Sequence, residues 1–274
     1  MSEQSAGAKI RQTFNTVAEG YDKPALRFFV NSAEHLAASL RLQGNERVLD
    51  VATGTGANAL ALARRLPGGH VTGIDFSEGM LKLARAKAER AALRNVDFAG
   101  MDMQEISFPD VSFDIATCAF GIFFVEDMEG QLEHIARKVR TGGKVVATGF
   151  YDDAFHPLAE MLSQRLESYG VARPALSWKR IATEEKFAAL FAGAGLQDVA
   201  VQRQSAGYHL RDANEWWELV WNAGFRGAVA QIPPHHLEEF RRAHLAEIQA
   251  LATAEGIRLN VDVLIATGTK AGQR

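Results

Sequence analysis

One stretch, residues 48–61, constrains the fold of this chain more than any other. The run from Val48 to Val51 has the apolar character that is typical of a parallel strand covered on both faces. After Gly54 and Gly56 the apolar residues recur at helical spacing. The stretch therefore predicts a strand, a tight turn and a helix. Glycines in such a turn can take positive φ and let a ligand approach the backbone at the helix N-terminus.

Two classes of cofactor are compatible with this turn. Residues 54–59 fit the G-x-G-x-x-G/A pattern that brings a dinucleotide pyrophosphate against a helix N-terminus. Asp50 favours a different ligand, because a carboxylate beside the turn repels a diphosphate and attracts a ligand with an ammonium group and a sulfonium. S-adenosylmethionine is such a ligand. A nicotinamide dinucleotide enzyme remains the alternative, since it shares the glycine turn.

Several segments together resemble the class I S-adenosylmethionine-dependent methyltransferases. The Asp-x-x-x-Gly-x-Gly pattern at residues 50–56 resembles the glycine loop of that family. Other segments resemble the end of its second strand, its adenine-edge segment and its fourth strand, at residues 73–77, 100–103 and 113–121. Within the superfamily the chain is most similar to the ubiquinone/menaquinone C-methyltransferase (methyltransferase type 11) branch, at residues 14–22, 49–56 and 113–121. The resemblance covers roughly the first half to two-thirds of the chain.

The resemblance implies an α/β fold with a doubly wound, Rossmann-like sheet of seven strands. The expected order is 3-2-1-4-5-7-6 with the last strand antiparallel, and that strand is expected at residues 258–268. We expect one methyltransferase domain over residues 1–274. Its expected parts are N-terminal helices, a cofactor-binding core and two helical insertions that form a substrate lid, at residues 1–45, 46–150, 151–182 and 206–257.

Three acidic residues are the main candidates for cofactor binding. Asp75 ends the second predicted strand, one βα unit after the glycine turn, where a carboxylate can accept both ribose hydroxyls. The alternative is that Asp75 serves the helix that starts at Ser77. Asp102 is a candidate acceptor for the adenine amino group. Met80 and Met103 are candidates to sandwich the adenine ring, or else ordinary core residues. The resemblance and the strand ends add six further cofactor-binding candidates: Tyr21, Ala52, Thr53, Phe76, Ala119 and Phe120.

Both insertions follow strands that end near the cofactor edge, so we expect them to cover the site. We expect the second insertion, residues 206–257, to be a mobile lid that excludes water. Their aromatic residues are candidates for a wall against a flat or greasy substrate, although aromatics at helical spacing are more often core. The candidate lid residues are Phe124, Trp178, Trp216, Trp217, Trp221 and Phe225. A rigid dimerisation arm is the alternative for the second insertion. The segment 122–124 departs from the resembled branch, which carries a polar pair there.

If the acceptor is a hydroxyl, His156 and then His209 are the candidate general bases, because each lies just beyond a strand that ends at the site edge. An imidazole with a pKa of about 6.5 can accept a proton at neutral pH. His156 precedes Pro157 at a predicted helix start, so it can instead face water. Tyr21 is a third catalytic candidate through positioning. No remaining histidine has cysteine partners or an H-E-x-x-H spacing, so we expect no metal.

Charge and composition favour a small-molecule acceptor. The formal net charge of −3 gives no electrostatic reason to expect nucleic acid or an anionic membrane as a partner. No apolar run approaches the ~18 residues of a membrane span, and Cys118 is the single cysteine, which favours a reducing cytoplasm. We therefore expect a cytoplasmic monomer or homodimer that methylates a small aromatic or hydrophobic acceptor at oxygen or carbon. A catalytically silent S-adenosylmethionine-binding sensor remains an alternative.

Overall fold

The computed structural model describes residues 3–174 and 176–272 of this chain. The strands are β1 (Arg47–Val51), β2 (His70–Asp75), β3 (Val96–Gly100), β4 (Phe113–Ala119), β5 (Val139–Phe150), β6 (Leu196–Ser205), β7 (Tyr208–Leu210), β8 (Ile257–Leu259) and β9 (Asp262–Lys270). The α-helices are α1 (Glu3–Val17), α2 (Phe28–Ser39), α3 (Ala57–Ala63), α4 (Glu78–Arg90), α5 (Met128–Lys138), α6 (Leu158–Ser168), α7 (Glu184–Gly193), α8 (Ala213–Asn222), α9 (Arg226–Val229) and α10 (Pro234–Gln249).

Seven strands form one sheet in the order β3-β2-β1-β4-β5-β9-β6. Strand β9 lies antiparallel between β5 and β6, whereas β1 to β5 pair in parallel. Strand β9 corresponds to the predicted seventh strand of the large sheet. The arrangement therefore confirms the predicted doubly wound fold, its strand order and its one reversed strand. β1 has neighbours on both sides, so its apolar side chains, including Val48 and Leu49, are fully buried.

The predicted last strand at residues 258–268 was placed wrongly at its start. Residues 257–259 form β8, which pairs with β7 in a separate two-stranded sheet, and the strand of the large sheet begins only at Asp262. The break has a visible cause. The carbonyls of Asn260 and Val261 accept hydrogen bonds from the backbone of Phe155 and Ala206, so the chain cannot continue one ladder through this point.

The two insertions form a helical layer with its own apolar contacts. Helix α10 packs against both α6 and α8. Trp216 of α8 is fully buried and donates a hydrogen bond from Nε1 to Nε2 of His244, at 2.9 Å. Asp212 caps the N-terminus of α8, as the sequence predicts, by accepting from the backbone amides of Asn214 and Glu215. In the described part of the chain, no helix is both long enough and apolar enough to cross a membrane.

Replacing either glycine of the turn after β1 by alanine should destabilise the fold, by different amounts. Both residues have positive φ, at +55° for Gly54 and +81° for Gly56, which costs a residue with a β-carbon about 1–2 kcal/mol. An added Cβ at Gly56 would also lie 3.0 Å from Cβ of Ala84, whereas at Gly54 it meets nothing within 4 Å. We expect Gly56→Ala to lose a further 1–3 kcal/mol, roughly, through overpacking. Urea unfolding measures both, and equal losses would contradict this account.

His244 should contribute to a fall in the free energy of unfolding as the pH falls from about 6.5 towards 4. Burial, and then the charge of Arg165, lower the pKa of His244 to about 4 from 6.5. Between these values the unfolded chain binds more protons than the folded one, so acid favours unfolding by up to about 1.4 kcal/mol per pH unit. Denaturant unfolding at several pH values measures this slope. His244→Gln should flatten it, and the control His235→Gln, at an exposed position of the same helix, should not.

Candidate active site

A cleft of about 270 Å³ lies at the carboxyl ends of β1, β2 and β4. Its lining residues come from five stretches of the chain, at residues 7–33, 50–58, 75–80, 101–104 and 119–126. The strands supply the floor. The N-terminal segment, which includes the end of α1 and the start of α2, lies over the opening as a roof. The cleft therefore occupies the position where open α/β sheets bind ligands.

The turn after β1 separates the roles of its two glycines. Gly54 lines the cleft, and a Cβ added there would point into open space. Gly56 does not contribute to the lining, and it packs closely against Ala84 of α4 and the ring of Phe98. Gly56 is therefore enclosed between helix and sheet, outside the lining, and its predicted contact with the cofactor stays a prediction.

Asp50 is buried at the centre of the floor and is held by three side chains. Its Oδ2 accepts from Thr53 at 2.5 Å, and its Oδ1 accepts from Asn58 and Thr117, each at 2.6 Å. Burial raises the pKa of Asp50, while these hydrogen bonds act to lower it. Donors from the turn, α3 and β4 thus fix one carboxylate that faces the cleft.

Asp75 at the end of β2 forms the second acidic position of the floor. Its Oδ2 accepts from the backbone amide of Gly54 and its Oδ1 from that of Ser77, each at 2.9 Å. Burial raises the pKa of this carboxyl group. Asp75 therefore accepts a hydrogen bond at the start of α4, as the alternative interpretation of the sequence predicts. It also lines the cleft.

The third acidic position, Asp102, lies farther along the floor. Its Oδ1 accepts from the backbone amide of Gln104, which starts a short 3₁₀ turn. Met80 and Met103 line the same cleft, and so does Met101, which the sequence reading missed. The remaining cofactor candidates also line the cleft, and they are Tyr21, Ala52, Thr53, Phe76, Ala119 and Phe120.

Aromatic rings form the upper wall of the cleft. Tyr21 stacks on Phe29 with ring centroids 4.8 Å apart, and Phe29 meets Phe120 edge-on at 5.3 Å. Phe14 packs edge-on against Phe124 at 5.4 Å. Burial, and then the charges of Asp75 and Asp22, raise the pKa of Tyr21, so its phenol stays protonated. The sequence reading missed Phe14 and Phe29 as site residues. Their aromatic character at helical spacing was the available signal.

A polar contact fastens the roof to the glycine turn. Oδ1 of Asp22 accepts from Oγ1 of Thr55 at 2.7 Å and from Nζ of Lys87 at 2.8 Å. Partial burial lowers the pKa of Lys87, and the contacts with Asp22 oppose that shift. Asp22 and Thr55 both line the cleft, so this contact ties the roof to the floor beside the turn.

The predicted aromatic wall from the insertions lies outside the cleft. None of the cleft-lining residues that the structure describes comes from residues 151–182 or 206–257. Trp216 and Phe225 are buried against each other, with centroids 5.9 Å apart. Trp217 stacks with Trp221 within α8, at 6.1 Å. Trp178 packs on Phe150 at 5.7 Å, behind Phe120. Among the predicted lid residues, Phe124 is the one that lines the cleft. The others pack within the insertions or behind the sheet edge, so their role as a wall against the substrate stays a prediction.

The two candidate general bases are also outside the cleft. His156 is exposed at the start of α6. His209 lies on β7, with Nε2 3.5 Å from Oε2 of Glu255. Both residues lie at the predicted edge of the sheet, but neither side chain contributes to the lining of the cleft. The prediction that one of them acts as base stays a prediction. Within residues 3–174 and 176–272, no three His, Cys, Asp or Glu side chains group together as metal ligands.

Comparisons with known proteins agree with this geometry. The family described as "Methyltransferase domain" matches residues 48–143. A demethylmenaquinone methyltransferase from Listeria welshimeri is 34% identical over 142 residues, which cover 50% of this chain and 60% of that relative. The ubiquinone/menaquinone biosynthesis C-methyltransferase of Geobacter sulfurreducens is 32% identical over 224 residues, which cover 73% of this chain and 86% of that relative.

Solved structures extend the likeness in fold. The YcgJ protein from Bacillus subtilis superposes with a TM-score of 0.60 at 20% identity, covering 89% of this chain and 99% of that one. Identity at this level shows the fold alone. The Geobacter relative carries more weight, because it is 32% identical along most of its length. From that match, the strand order and the glycine turn, we conclude that the chain belongs to the class I S-adenosylmethionine-dependent methyltransferases and resembles their ubiquinone/menaquinone C-methyltransferase branch.

Proposed function

We propose that this protein transfers a methyl group from S-adenosylmethionine to a small hydrophobic acceptor that contains an aromatic or quinonoid ring. One observation carries the proposal: a single cleft joins an acidic floor to a wall of aromatic rings. The floor suits a polar, positively charged cofactor. The wall suits a flat, apolar acceptor, because stacked and edge-on ring contacts favour such molecules.

The floor residues fit the cofactor in its parts. Asp75 would hold the ribose hydroxyls, and Asp102 would accept from the adenine amino group between Met80 and Met103. Asp50 faces the same space, and its negative charge complements an ammonium group and a sulfonium. The absent side chain of Gly54 leaves room for the ligand against the backbone. When bound, this cofactor supplies an electrophilic methyl group on sulfur.

The acceptor end of the cleft is the aromatic wall. Tyr21, Phe29 and Phe120 form a continuous row of rings, and Phe124 at the rim remains 40% exposed. Ring-bearing quinones appear in the names of both relatives described above, which supports an acceptor of this class. The Listeria relative is matched over only 60% of its length, and the segment 122–124 departs from the pattern of that branch. The proposal therefore extends to the ring class and not to one quinone.

The residues of the cleft favour catalysis by positioning. Methyl transfer is an in-line displacement, so holding the acceptor and the methyl group in near-attack geometry supplies much of the rate. No histidine occurs among the described residues of the lining. The raised pKa of Tyr21 leaves its phenol as a hydrogen-bond donor and not as a base. The roof would exclude water from the reacting atoms. An acceptor carbon or oxygen that is already nucleophilic suits such a site.

Calorimetry and product analysis test the proposal. S-adenosylhomocysteine should bind saturably, whereas NAD should not, and quinols and phenols should yield S-adenosylhomocysteine from the methyl donor. Binding of NAD alone would sink the methyltransferase assignment. Cofactor binding without turnover on any ring acceptor would favour a sensor.

Asp75→Ala should weaken the binding of S-adenosylhomocysteine by about ten-fold or more. Hydrogen bonds to a charged group contribute about 1.5–3 kcal/mol, and 1.4 kcal/mol corresponds to a factor of ten. Titration calorimetry measures the affinity. Asp97→Ala is the matched control, because it removes the same charge from an exposed side chain of the neighbouring strand β3. Equal losses in the two variants would show that charge alone, and not the ribose contact, determines the affinity.

His156→Ala and His209→Ala should each retain methyl transfer within about two-fold of the unmodified protein, because neither side chain reaches the cleft. Single-turnover rates measured across pH provide the test, with the same acidic limb expected in all three proteins. A ten-fold or larger loss in either variant would return that histidine to the catalytic machinery. Phe120→Ala provides the positive control, since its ring lies in the lining.

A further inference from the structure

The second insertion packs on the outer side of the cleft's roof. Residues 18–33 are the part of the roof that follows α1, and we call them the roof segment; Tyr21 and Phe29 of this segment line the cleft. Tyr208 of β7 donates a hydrogen bond from its hydroxyl to the carbonyl of Ala25, at 2.6 Å. The guanidinium carbon of Arg27 lies over the same ring, 3.5 Å from its centroid. One tyrosine therefore contacts two positions of the roof segment.

Other contacts extend along the roof segment. Nη2 of Arg27 donates to the carbonyl of His209 at 2.9 Å, and Nζ of Lys23 lies 3.0 Å from Oε1 of Glu218. Gly20 packs so closely on α8 that an added Cβ would lie 1.7 Å from Oδ1 of Asn222. The insertion thus contacts the roof at several points between residues 20 and 27.

The roof depends on such external contacts for its shape. It crosses the cleft as two three-residue 3₁₀ turns, Ala18–Gly20 and Pro24–Leu26, before α2 begins. Turns of this length have few hydrogen bonds of their own and hold their position through packing. The hydroxyl of Tyr208 suits the task, because burial raises its pKa to about 12 and it remains a donor.

We propose that residues 206–259 act as a brace that positions the roof over the cleft, with Tyr208 as the positioning residue at its centre. The brace places Tyr21 and Phe29 without entering the cleft itself. In this proposal the N-terminal segment covers the site, and the insertion, which we expected to form the lid, holds that segment in position. The inference goes beyond the proposed function, and only its binding readout rests on it.

The chain offers a matched control for Tyr208. Arg203 lies over the ring of Tyr151 at 3.6 Å, the same type of contact. Tyr151 follows β5 and is absent from the cleft lining and from the contacts of the roof segment described above. Tyr151→Ala therefore removes a similar ring and a similar cation–π contact elsewhere on the surface.

Hydrogen exchange of the ligand-free full chain, followed by mass spectrometry, tests the brace. We expect faster exchange over residues 18–33 in Tyr208→Ala and Tyr208→Phe, and an unchanged rate there in Tyr151→Ala. Tyr208→Phe keeps the ring and removes only the hydroxyl, so it carries the test if Tyr208→Ala fails to fold. Unchanged exchange over the roof in Tyr208→Phe, or equal acceleration in Tyr151→Ala, overturns the proposal.

Binding adds a readout that general destabilisation does not produce. Loss of one hydrogen bond of about 1 kcal/mol predicts roughly five-fold weaker binding of S-adenosylhomocysteine in Tyr208→Phe. We expect Tyr151→Ala to bind as the unmodified protein does, even where its thermal midpoint falls as far. Equal affinities in all three proteins would contradict the brace. If the unmodified protein binds no S-adenosylhomocysteine, the proposed function fails, while the exchange measurement still decides the brace.

Discussion

The buried carboxylate of Asp50 is the interaction on which the rest of the site depends. A charged group at this depth is costly unless donors surround it, and the protein supplies them from the glycine turn, α3 and β4. These donors fix the turn relative to the two central strands. Asp75 then accepts from the amide of Gly54, which joins the end of β2 to the same turn. The floor is one hydrogen-bonded unit.

The roof is held by different interactions from those of the floor. Its inner side is apolar, because the rings of Tyr21 and Phe29 stack there and Phe29 meets the ring of Phe120 at the sheet edge. Its anchors are polar and lie at two places, at the glycine turn through Asp22 and at the insertion through Tyr208. The acidic floor and the aromatic roof thus give one cleft two chemically distinct halves.

The chemistry available to such a cleft is narrow. Its described lining contains no imidazole, and the phenol of Tyr21 is held in its protonated form. Cys118 is also unsuited to attack, because burial raises the pKa of its thiol to about 12. Orientation and exclusion of water are what these residues provide, and a methyl group on a sulfonium requires little more from its protein.

The sequence by itself determined the glycine turn and the three acidic positions Asp50, Asp75 and Asp102, because these features depend on local periodicity and on strand ends, which neighbouring residues specify. The strand order followed from the family resemblance that these motifs carry, since local periodicity does not determine which strands are neighbours. Tertiary structure decided which aromatic rings line the cleft. Helical spacing shows that Trp216 and Phe29 each lie on an apolar face, but it does not show which surface that face packs against. Trp216 is buried in the core, whereas Phe29 lies in the roof and lines the cleft. The same limit applies to His156 and His209. Strand order predicts that each lies at the cofactor edge of the sheet, but the direction of its side chain depends on tertiary packing.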